Sequence, residues 1–277
     1  MRAPATVHDD VARALAEDVG DGDLSAAAIS AERREEAQVV ARVAGVICGR
    51  PWFDAAFHGV DPAIAIEWLV GEGERVEADT ILCRLSGPAR GLFTAERTAL
   101  NFLQLLSGVA TATRAYVDAV AWTGAHILDT RKTLPGLRAA EKYAVACGGG
   151  HNHRMGLYDE AMLKENHIHA AGGITAAIGA LREAHPAARL TVEVENLEQM
   201  REALAAGADR LLLDNFAPAD LRRAVTETAG RAVLEASGGI GLEGVRTVAA
   251  TGVDCVSVGA LTKDIRALDL SMRFAGG

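Results

Sequence analysis

The sequence has few aromatic residues, no surplus of positive charge and no long apolar run, and each absence excludes a class of protein. Aromatic residues make up 4% of the 277 positions, too few for a surface that stacks on single-stranded bases. The 28 lysines and arginines are outnumbered by 37 aspartates and glutamates, and the net charge of -9 argues against non-specific binding to nucleic acid or to an anionic membrane. No apolar run approaches the ~20 residues that cross a bilayer.

The cysteines are also too widely spaced to form a recognisable motif. Cys48, Cys83, Cys147 and Cys255 include no Cys-x-x-Cys pair of the kind that binds zinc or carries redox chemistry. The N-terminus is acidic and lacks the apolar stretch of a signal peptide. With 49% hydrophobic and 23% charged residues, the composition is that of an ordinary globular protein. We therefore expect a reduced, cytoplasmic protein.

The first hundred residues predict a small domain of mixed structure. Short β-rich runs at 38–43, 64–70 and 80–85 are separated by glycines and acidic turns, and a helical stretch covers 8–17. This pattern indicates an α+β domain built on an antiparallel sheet.

A long helix is predicted after this sheet. It begins after Pro88, with Thr94 as the expected cap, and its leucines recur at helical spacing as a buried stripe. Arg97, Asn101 and Gln104 fall on another face, where a solvent-exposed surface is the simplest interpretation.

From residue 125 onward, short apolar runs alternate with helical segments. The runs end at or near six residues, namely Asp129, Lys164, Glu193, Asp214, Glu235 and Gly259. Helices are predicted at 197–206, 218–228 and 242–250. Alternating strands and helices predict parallel βαβ units, and six or seven of them suggest a closed or nearly closed barrel. An open doubly wound sheet is the alternative, because the sequence does not state the strand order.

Positively charged side chains concentrate at the ends of these strands. Arg131 and Lys132 follow the first strand of the series. His153 and Arg154 come after a run of three glycines, and Lys164 stands at the end of the next strand. We expect them to form a pocket for an anion with several charges, because the arginine fork donates two parallel hydrogen bonds to a carboxylate or phosphate.

Other interpretations of the same residues stay open. His151 and His153 have the spacing of a metal-binding pair, although no third ligand of matching type is close in sequence. Lys164 could form a Schiff base, as in barrel aldolases. Arg131 and Lys132 could form surface salt bridges. Anion binding accounts for all of these cations together.

Two glycine-containing loops predict phosphate binding. Ser237, Gly238 and Gly239 follow the last strand but one, and Gly259 and Ala260 follow the last. Glycines there let backbone N–H groups approach a phosphate, and the following helix offers its positive end. Barrels commonly bind phosphate groups after their final strands.

Two carboxylates are candidates for a metal or a ribose. Alternate residues of T-V-E-V-E point to opposite faces of a strand, so Glu193 shares one face with Glu195 while the valines occupy the other. With the valines against the helices, Glu193 and Asp214 could hold hydrated Mg²⁺ or accept hydrogen bonds from ribose hydroxyls. A salt bridge from either carboxylate to Lys164 is the alternative.

Taken together, these motifs resemble the quinolinate phosphoribosyltransferase family over nearly the whole chain. The resemblance rests on E-D-V-G-D-G-D-L-S at 17–25, T-A-E-R-T-A-L-N-F-L-Q at 94–104, D-T-R-K-T-L-P-G-L-R-A-A-E-K-Y-A-V at 129–145 and G-G-G-H-N-H-R-M-G-L at 148–157. L-K-E-N-H-I, L-L-L-D-N-F, L-E-A-S-G-G-I and V-S-V-G-A-L-T follow in order.

Members of this family couple quinolinate to phosphoribosyl pyrophosphate with Mg²⁺, and they release pyrophosphate and carbon dioxide as nicotinate mononucleotide forms. The resemblance implies a glycosyltransferase of NAD biosynthesis. It also implies an N-terminal α/β sandwich at 1–105 and an incomplete, about seven-stranded parallel α/β barrel at 106–277, with residues from about 268 packing back on the first domain. The family assembles as a homodimer.

The resemblance also implies a role for each candidate residue. The positions around the quinolinate carboxylates are matched by Arg131, His153, Arg154 and Lys164, with Lys132 between quinolinate and the phosphoribosyl group. The phosphate loops are matched by Ser237, Gly238, Gly239, Gly259 and Ala260. Glu193 and Asp214 match carboxylates near the ribose and Mg²⁺, which they meet directly or through water. The residues expected to act in catalysis are Lys132, Lys164, Glu193 and Asp214. Arg97 matches an arginine that enters the partner subunit's site.

Two alternatives share the fold. One is a relative associated with molybdenum transport, in which the cluster around H-R and K-x-N-H is altered, whereas both motifs are intact here. The other is an anion-binding protein without catalytic activity, which would not need the pair formed by Glu193 and Asp214. A transferase specific for nicotinate would need fewer cations, because nicotinate has one carboxylate and quinolinate has two.

Overall fold

A computed structural model describes residues 2–274, which form two compact units. The first unit contains residues 2–114, 133–149 and 264–274, and the second contains residues 115–132 and 150–263. The first unit extends beyond the predicted boundary after residue 105 to residue 114 and also includes residues 133–149. The segment 264–274 groups with the first unit, as expected for the residues from about 268. Residue 1 and residues 275–277 of the predicted domains lie outside the described residues.

The strands and helices alternate in the order that the sequence pattern indicates. The strands are β1 (Arg34–Ala41), β2 (Gly45–Val46), β3 (Ala65–Trp68), β4 (Arg75–Val76), β5 (Ile81–Pro88), β6 (His126–Leu128), β7 (Ala161–Leu163), β8 (Leu190–Val194), β9 (Arg210–Asp214), β10 (Val233–Ser237), β11 (Cys255–Ser257) and β12 (Leu270–Phe274). The helices are α1 (Val7–Val19), α2 (Arg50–Val60), α3 (Ala89–Val120), α4 (Arg138–Cys147), α5 (Glu165–Ala171), α6 (Ile174–Ala184), α7 (Leu197–Ala205), α8 (Pro218–Thr228), α9 (Leu242–Ala249) and α10 (Ala260–Lys263). A short 3₁₀ helix covers Ser25–Ala28.

The first unit is built on a four-stranded antiparallel sheet in the order β12-β1-β5-β3, which confirms the predicted antiparallel domain. Strand β1 pairs with β5 and with β12, and its register to β5 shifts between Val39 and Val40. Helix α2 supplies much of the core, because Trp52, Phe53 and Phe57 are completely buried.

Helix α3 begins at Ala89, directly after Pro88, so the prediction of Thr94 as its cap is wrong. Proline suits the start of a helix because its missing N–H would have no partner there. Thr94 lies inside the helix, and its hydroxyl donates a hydrogen bond of 2.9 Å to Asp23. The predicted leucine stripe is confirmed, since Leu100, Leu103 and Leu106 are at most 2% exposed. Neither this 32-residue helix nor any other within residues 2–274 is both long and apolar enough to span a membrane.

The second unit contains a six-stranded parallel sheet in the order β6-β11-β10-β9-β8-β7. All six apolar runs identified in the sequence form these strands, and α7, α8 and α9 cover the three predicted helices. About seven strands were expected, and the sheet has six. A seventh segment contributes a single bridge, in which His151 pairs with Leu128 in parallel orientation. The predicted α/β class is thus confirmed.

Candidate active site

The carboxyl ends of the parallel strands surround a cavity of about 460 Å³ in the second unit. Alternate residues of neighbouring strands line it, including Leu212 and Asp214 of β9 and Glu235 and Ser237 of β10. The strand register places Ser237 beside Asp214 and Glu235 beside Leu212. Because alternate residues of a strand share a face, one face of the sheet carries all of these side chains.

The structure brings most of the predicted site residues to this cavity. Its lining includes Arg131, Lys132, His153, Arg154, Lys164, Glu193, Asp214 and Ser237. Gly238 and Gly239 line a smaller pocket of about 240 Å³ that Ser237 also lines. Arg97 lies in the first unit, exposed on helix α3.

Arg154 lies in a position that suits an anion. Its Nη1 donates a hydrogen bond of 2.9 Å to the carbonyl oxygen of Glu160, which fixes one arm of the guanidinium. Partial burial and the positive charge of Arg131 lower the pKa of Arg154 below its ordinary value. Two neighbouring guanidinium groups repel each other, so an anion between them would be strongly favoured.

Lys164 and Glu193 form an ion pair at the edge of the cavity. Lys164 Nζ lies 3.0 Å from Glu193 Oε2, so the salt bridge that the sequence offered as an alternative is present. Both side chains are partly exposed, at 49% for Lys164 and 21% for Glu193. Asp214 makes a different contact, since it accepts a hydrogen bond of 2.9 Å from the side-chain amide of Asn215. Both carboxylates remain accessible from the cavity.

Lys132 is held by two threonines that the sequence analysis did not identify. The Lys132 N–H donates a hydrogen bond of 3.0 Å to Thr130 Oγ1. The completely buried Thr262 donates its hydroxyl to the Lys132 carbonyl at 2.8 Å. A Cβ at Gly259 would lie 3.1 Å from Lys132 Cδ, so the glycine makes room for the lysine side chain.

The loop after β10 requires its glycines. Gly238 and Gly239 have φ angles of +107° and +59°, in the region that favours glycine. A Cβ at Gly238 would collide with the side chain of Asn215, which itself has a φ of +56°. The Asn215 N–H donates a hydrogen bond of 3.0 Å to the Ser237 carbonyl. The close approach of these two loops sets the position of Asp214, which directly precedes Asn215.

A buried charge cluster, which we call the buried triad, consists of His153, Glu235 and Arg210. His153 Nε2 lies 3.2 Å from Glu235 Oε2, and Arg210 Nη1 lies 3.1 Å from the same oxygen. The Arg154 N–H donates to His153 Nδ1 at 2.7 Å, so the ring proton lies on Nε2 and faces the glutamate. Burial alone would raise the pKa of Glu235, but the bonds from His153 and Ser257 and the charge of Arg210 hold it below its usual value.

His153 was expected to lie near the quinolinate carboxylates, and its hydrogen bonds show that it also connects parts of the fold. Its Nδ1 accepts from Arg154 and its backbone N–H donates to Asp129 Oδ1 at 2.8 Å, so the residue connects the loop to the strands. Glu235 stood out in the sequence only as a polar strand end. Arg210 begins its strand and carried no signal.

The structure gives no support to a metal site at the His-x-His motif. Within residues 2–274, no three metal-ligating side chains converge at His151 or His153. The His151 ring instead packs against His126, with ring centroids 4.4 Å apart.

Sequence profiles of known families match nearly the whole chain. The profile described as "Quinolinate phosphoribosyl transferase, N-terminal domain" matches residues 23–107, and the corresponding C-terminal domain matches residues 109–273.

Individual proteins and solved structures agree with these profiles. The nicotinate-nucleotide pyrophosphorylase (carboxylating) of Mycobacterium leprae is 43% identical over 274 residues, which covers 95% of each chain. The quinolinate phosphoribosyltransferase (decarboxylating) 1b of Nicotiana tabacum is 38% identical over 281 residues, covering 94% of this chain and 80% of that protein. The structure of the nicotinate-nucleotide pyrophosphorylase from Francisella tularensis has a TM-score of 0.96 at 41% identity and covers 99% of this chain and 98% of that one.

Proposed function

Because the chain belongs to the quinolinate phosphoribosyltransferase family, we propose that it transfers the phosphoribosyl group of phosphoribosyl pyrophosphate to quinolinate. Carbon dioxide and pyrophosphate leave, and nicotinate mononucleotide forms for NAD biosynthesis. One observation carries this conclusion: a cavity at the strand ends is lined by four cations and three carboxylates, namely Arg131, Lys132, Arg154, Lys164, Glu193, Asp214 and Glu235.

The cations favour quinolinate over a ring with one carboxylate. Arg131 and Arg154 offer planar forks for two adjacent carboxylates, and Lys164 adds a third positive charge at the edge. His153 supports this arrangement through its bond to the Arg154 backbone. A monoanionic substrate would leave part of this positive charge without a partner.

The arrangement also suits the charge that develops during the transfer. Breaking the bond to pyrophosphate leaves positive charge on the ribose, and the carboxylates of Glu193 and Asp214, which line the cavity, would stabilise it. The quinolinate ring nitrogen then bonds to the anomeric carbon, and holding the two in line can lower the barrier by ~7–11 kcal/mol in ideal cases. The positively charged ring nitrogen stabilises the carbanion left by decarboxylation, which takes up a proton from solvent to give nicotinate mononucleotide. No amino-acid nucleophile is needed.

The residues present fit a magnesium ion. Glu193 and Asp214 lie on adjacent strands, and their carboxylate oxygens are the hard ligands that Mg²⁺ prefers. They would hold the ion directly or through water, and the bound ion would neutralise charge on the departing pyrophosphate. Lys132 and the backbone N–H groups around Ser237, Gly238, Gly239, Gly259 and Ala260 would bind the phosphate groups.

The activity is tested by supplying the protein with phosphoribosyl pyrophosphate, Mg²⁺ and quinolinate. We expect equal amounts of nicotinate mononucleotide and carbon dioxide, and no product when any component is omitted. A protein that binds quinolinate without forming either product would instead be the anion-binding alternative.

We also infer that the protein is a homodimer whose sites are shared between subunits. Arg97 and Phe93 are exposed one turn apart on α3, and an exposed phenylalanine beside an arginine suits a protein interface. The family resemblance assigns Arg97 to the partner's site. We propose a cytoplasmic location as well, which agrees with the four cysteines, all among the described residues, forming no disulfide.

Complementation tests the shared site. Arg97→Ala and Lys164→Ala homodimers should each be nearly inactive. After mixing and subunit exchange, each heterodimer should have one site with both lesions and one with neither, so with random pairing about a quarter of all sites should recover. If exchange is confirmed and no activity returns, Arg97 does not act in the partner's site.

A further inference from the structure

Three metal-ligating side chains that are far apart in sequence converge in the first unit. The Sγ atoms of Cys48 and Cys147 and a carboxylate oxygen of Glu72 all lie within 4.8 Å of one another. Within residues 2–274, this is the one group of three such side chains. We propose that Cys48, Glu72 and Cys147 bind a thiophilic divalent cation of the Zn²⁺ class, separately from the active site.

The fold holds Cys48 in place from both sides of its backbone. Cys48 follows β2, and its N–H donates a hydrogen bond of 2.9 Å to Ser107 Oγ. The same hydroxyl donates to the Cys48 carbonyl at 3.1 Å, and Ser107 is completely buried. Gly49, with a φ of +113°, then turns the chain directly after the cysteine. The thiol is therefore fixed before any metal binds.

Glu72 is oriented in the way that a carboxylate ligand needs. Its Oε1 accepts the Gly49 N–H at 2.8 Å, and its Oε2 accepts the Arg50 N–H at 3.2 Å. A cation would bind the carboxylate in place of its present interactions with Cys48 and Tyr143. Hydrogen bonds of this kind to a ligating carboxylate orient it and are typical of metal sites.

Cys147 completes the group from the last residue of helix α4. A hydrogen bond from Cys48 lowers the pKa of the Cys147 thiol, whereas burial raises the pKa of Cys48. The hydroxyl of Tyr143, one turn earlier on α4, lies beside Glu72 and Cys147 and offers an oxygen as a fourth ligand atom.

The spacing of the ligand atoms suits a tetrahedral cation. Zinc–sulfur bonds of about 2.3 Å at tetrahedral angles place neighbouring sulfur ligands ~3.8 Å apart. The observed limit of 4.8 Å therefore requires a contraction of about one ångström or less. Tyr143 or a water would occupy the fourth position. Since Cys147 directly precedes the glycine run that leads to His153 and Arg154, such a cation would anchor the start of that segment.

Cobalt substitution tests this site directly. The protein is freed of metal with chelator and reductant, Co²⁺ alone is added, and absorption from thiolate-to-cobalt charge transfer is recorded. We expect one Co²⁺ per chain with this absorption, and its loss when Zn²⁺ is added. Cys48→Ala and Cys147→Ala should each remove at least half of the absorption and weaken binding by about tenfold or more.

The two other buried cysteines provide matched controls. Cys83→Ala and Cys255→Ala should bind Co²⁺ as the unmodified protein does, because neither thiol belongs to the group. Glu72→Gln should keep the sulfur absorption but weaken binding, which separates its contribution if Cys48→Ala fails to fold. No charge-transfer absorption in the unmodified protein, or undiminished absorption in Cys147→Ala, would overturn the proposal.

Discussion

The second unit holds two groups of paired charges that differ in exposure and therefore in what they can do. At the edge of the cavity, the Lys164–Glu193 pair has side chains that are 49% and 21% exposed. In the buried triad, Glu235 is completely inaccessible between His153 and Arg210. The exposed pair can exchange its mutual contact for a ligand, whereas the buried triad keeps one geometry.

The energetic difference between the two groups follows from solvent. An exposed ion pair contributes only ~0–1 kcal/mol to stability, because water and salt screen it. Removing one partner of a buried pair costs ~3–5 kcal/mol, because the remaining charge has lost its compensation. We therefore expect the exposed pair to matter mainly for the reaction and the buried triad to matter also for stability.

The largest effect is expected from Glu235→Gln, which removes the buried negative charge but keeps the side chain's shape. We expect the free energy of unfolding to fall by about 3 kcal/mol, because Arg210 loses its partner. Urea unfolding measures it, with the exposed Glu183→Gln as the control. A loss below about 1 kcal/mol would place the buried triad in the same class as the exposed pair.

The substitution Arg154→Lys tests the other half of the comparison, namely the charges that line the cavity. Lysine cannot both keep the bond to the Glu160 carbonyl and present a planar fork to a carboxylate. We expect kcat/KM for quinolinate to fall about 100-fold with unchanged folding. Steady-state kinetics and urea unfolding check both parts, with the exposed Arg222→Lys as the control. Near-normal activity on quinolinate would remove Arg154 from the site.

Glu141, a buried glutamate of the first unit, extends the comparison to the pH dependence of stability. Burial raises the pKa of Glu141 from 4.5 to about 7, although its carboxylate accepts the Leu134 N–H. A raised folded pKa means that the native state binds more protons, so stability falls as pH rises from 4.5 to about 7. The pKa of Glu235 is lowered instead of raised, so its effect on stability has the opposite sign. The stability that the Glu235 charge contributes is lost only as pH falls below 4.5, the ordinary pKa of a glutamate.

Unfolding in urea across this pH range checks the two signs. Glu141→Gln should flatten the decline between pH 4.5 and about 7. Glu235→Gln should lower stability across this range without changing that decline, and should remove the further loss of stability that Glu235 causes on the acid side. An unchanged decline in Glu141→Gln would show that other groups cause it.

The smallest change in stability is expected from Lys164→Ala. Its partner Glu193 stays partly exposed and hydrated, so the free energy of unfolding should change by less than about 1 kcal/mol. Activity should nevertheless be nearly lost, since the cation belongs to the cavity. A stability loss equal to that of Glu235→Gln would break the distinction between the two groups.

Much of the second unit could be predicted from the sequence, because its signals are local. Continuous apolar runs mark buried parallel strands, and polar residues such as Asp214 and Lys164 mark their carboxyl ends. The prediction that Thr94 caps α3 was wrong because the helix already begins at Ala89, directly after Pro88. In place of the expected seventh strand, the structure has a single bridge at His151. The sequence pattern does not indicate how many residues of such a segment pair with the neighbouring strand.

The remaining features depend on contacts between distant residues. Arg210 stands at the start of β9, so a search of strand ends does not find it. The approach of Cys48 to Cys147 likewise leaves no trace in their sequence spacing. Thr262 reaches Lys132 only through the fold. Such contacts are known only from the three-dimensional structure, which brings these residues together.

The central claim is that the cavity recognises a ring with two adjacent carboxylates. The most direct test is the ratio of kcat/KM for quinolinate to that for nicotinate, measured with the same phosphoribosyl pyrophosphate and Mg²⁺. We expect a ratio of at least about 100, because nicotinate leaves a cation of the cavity without its partner. Comparable values for the two substrates would contradict the account.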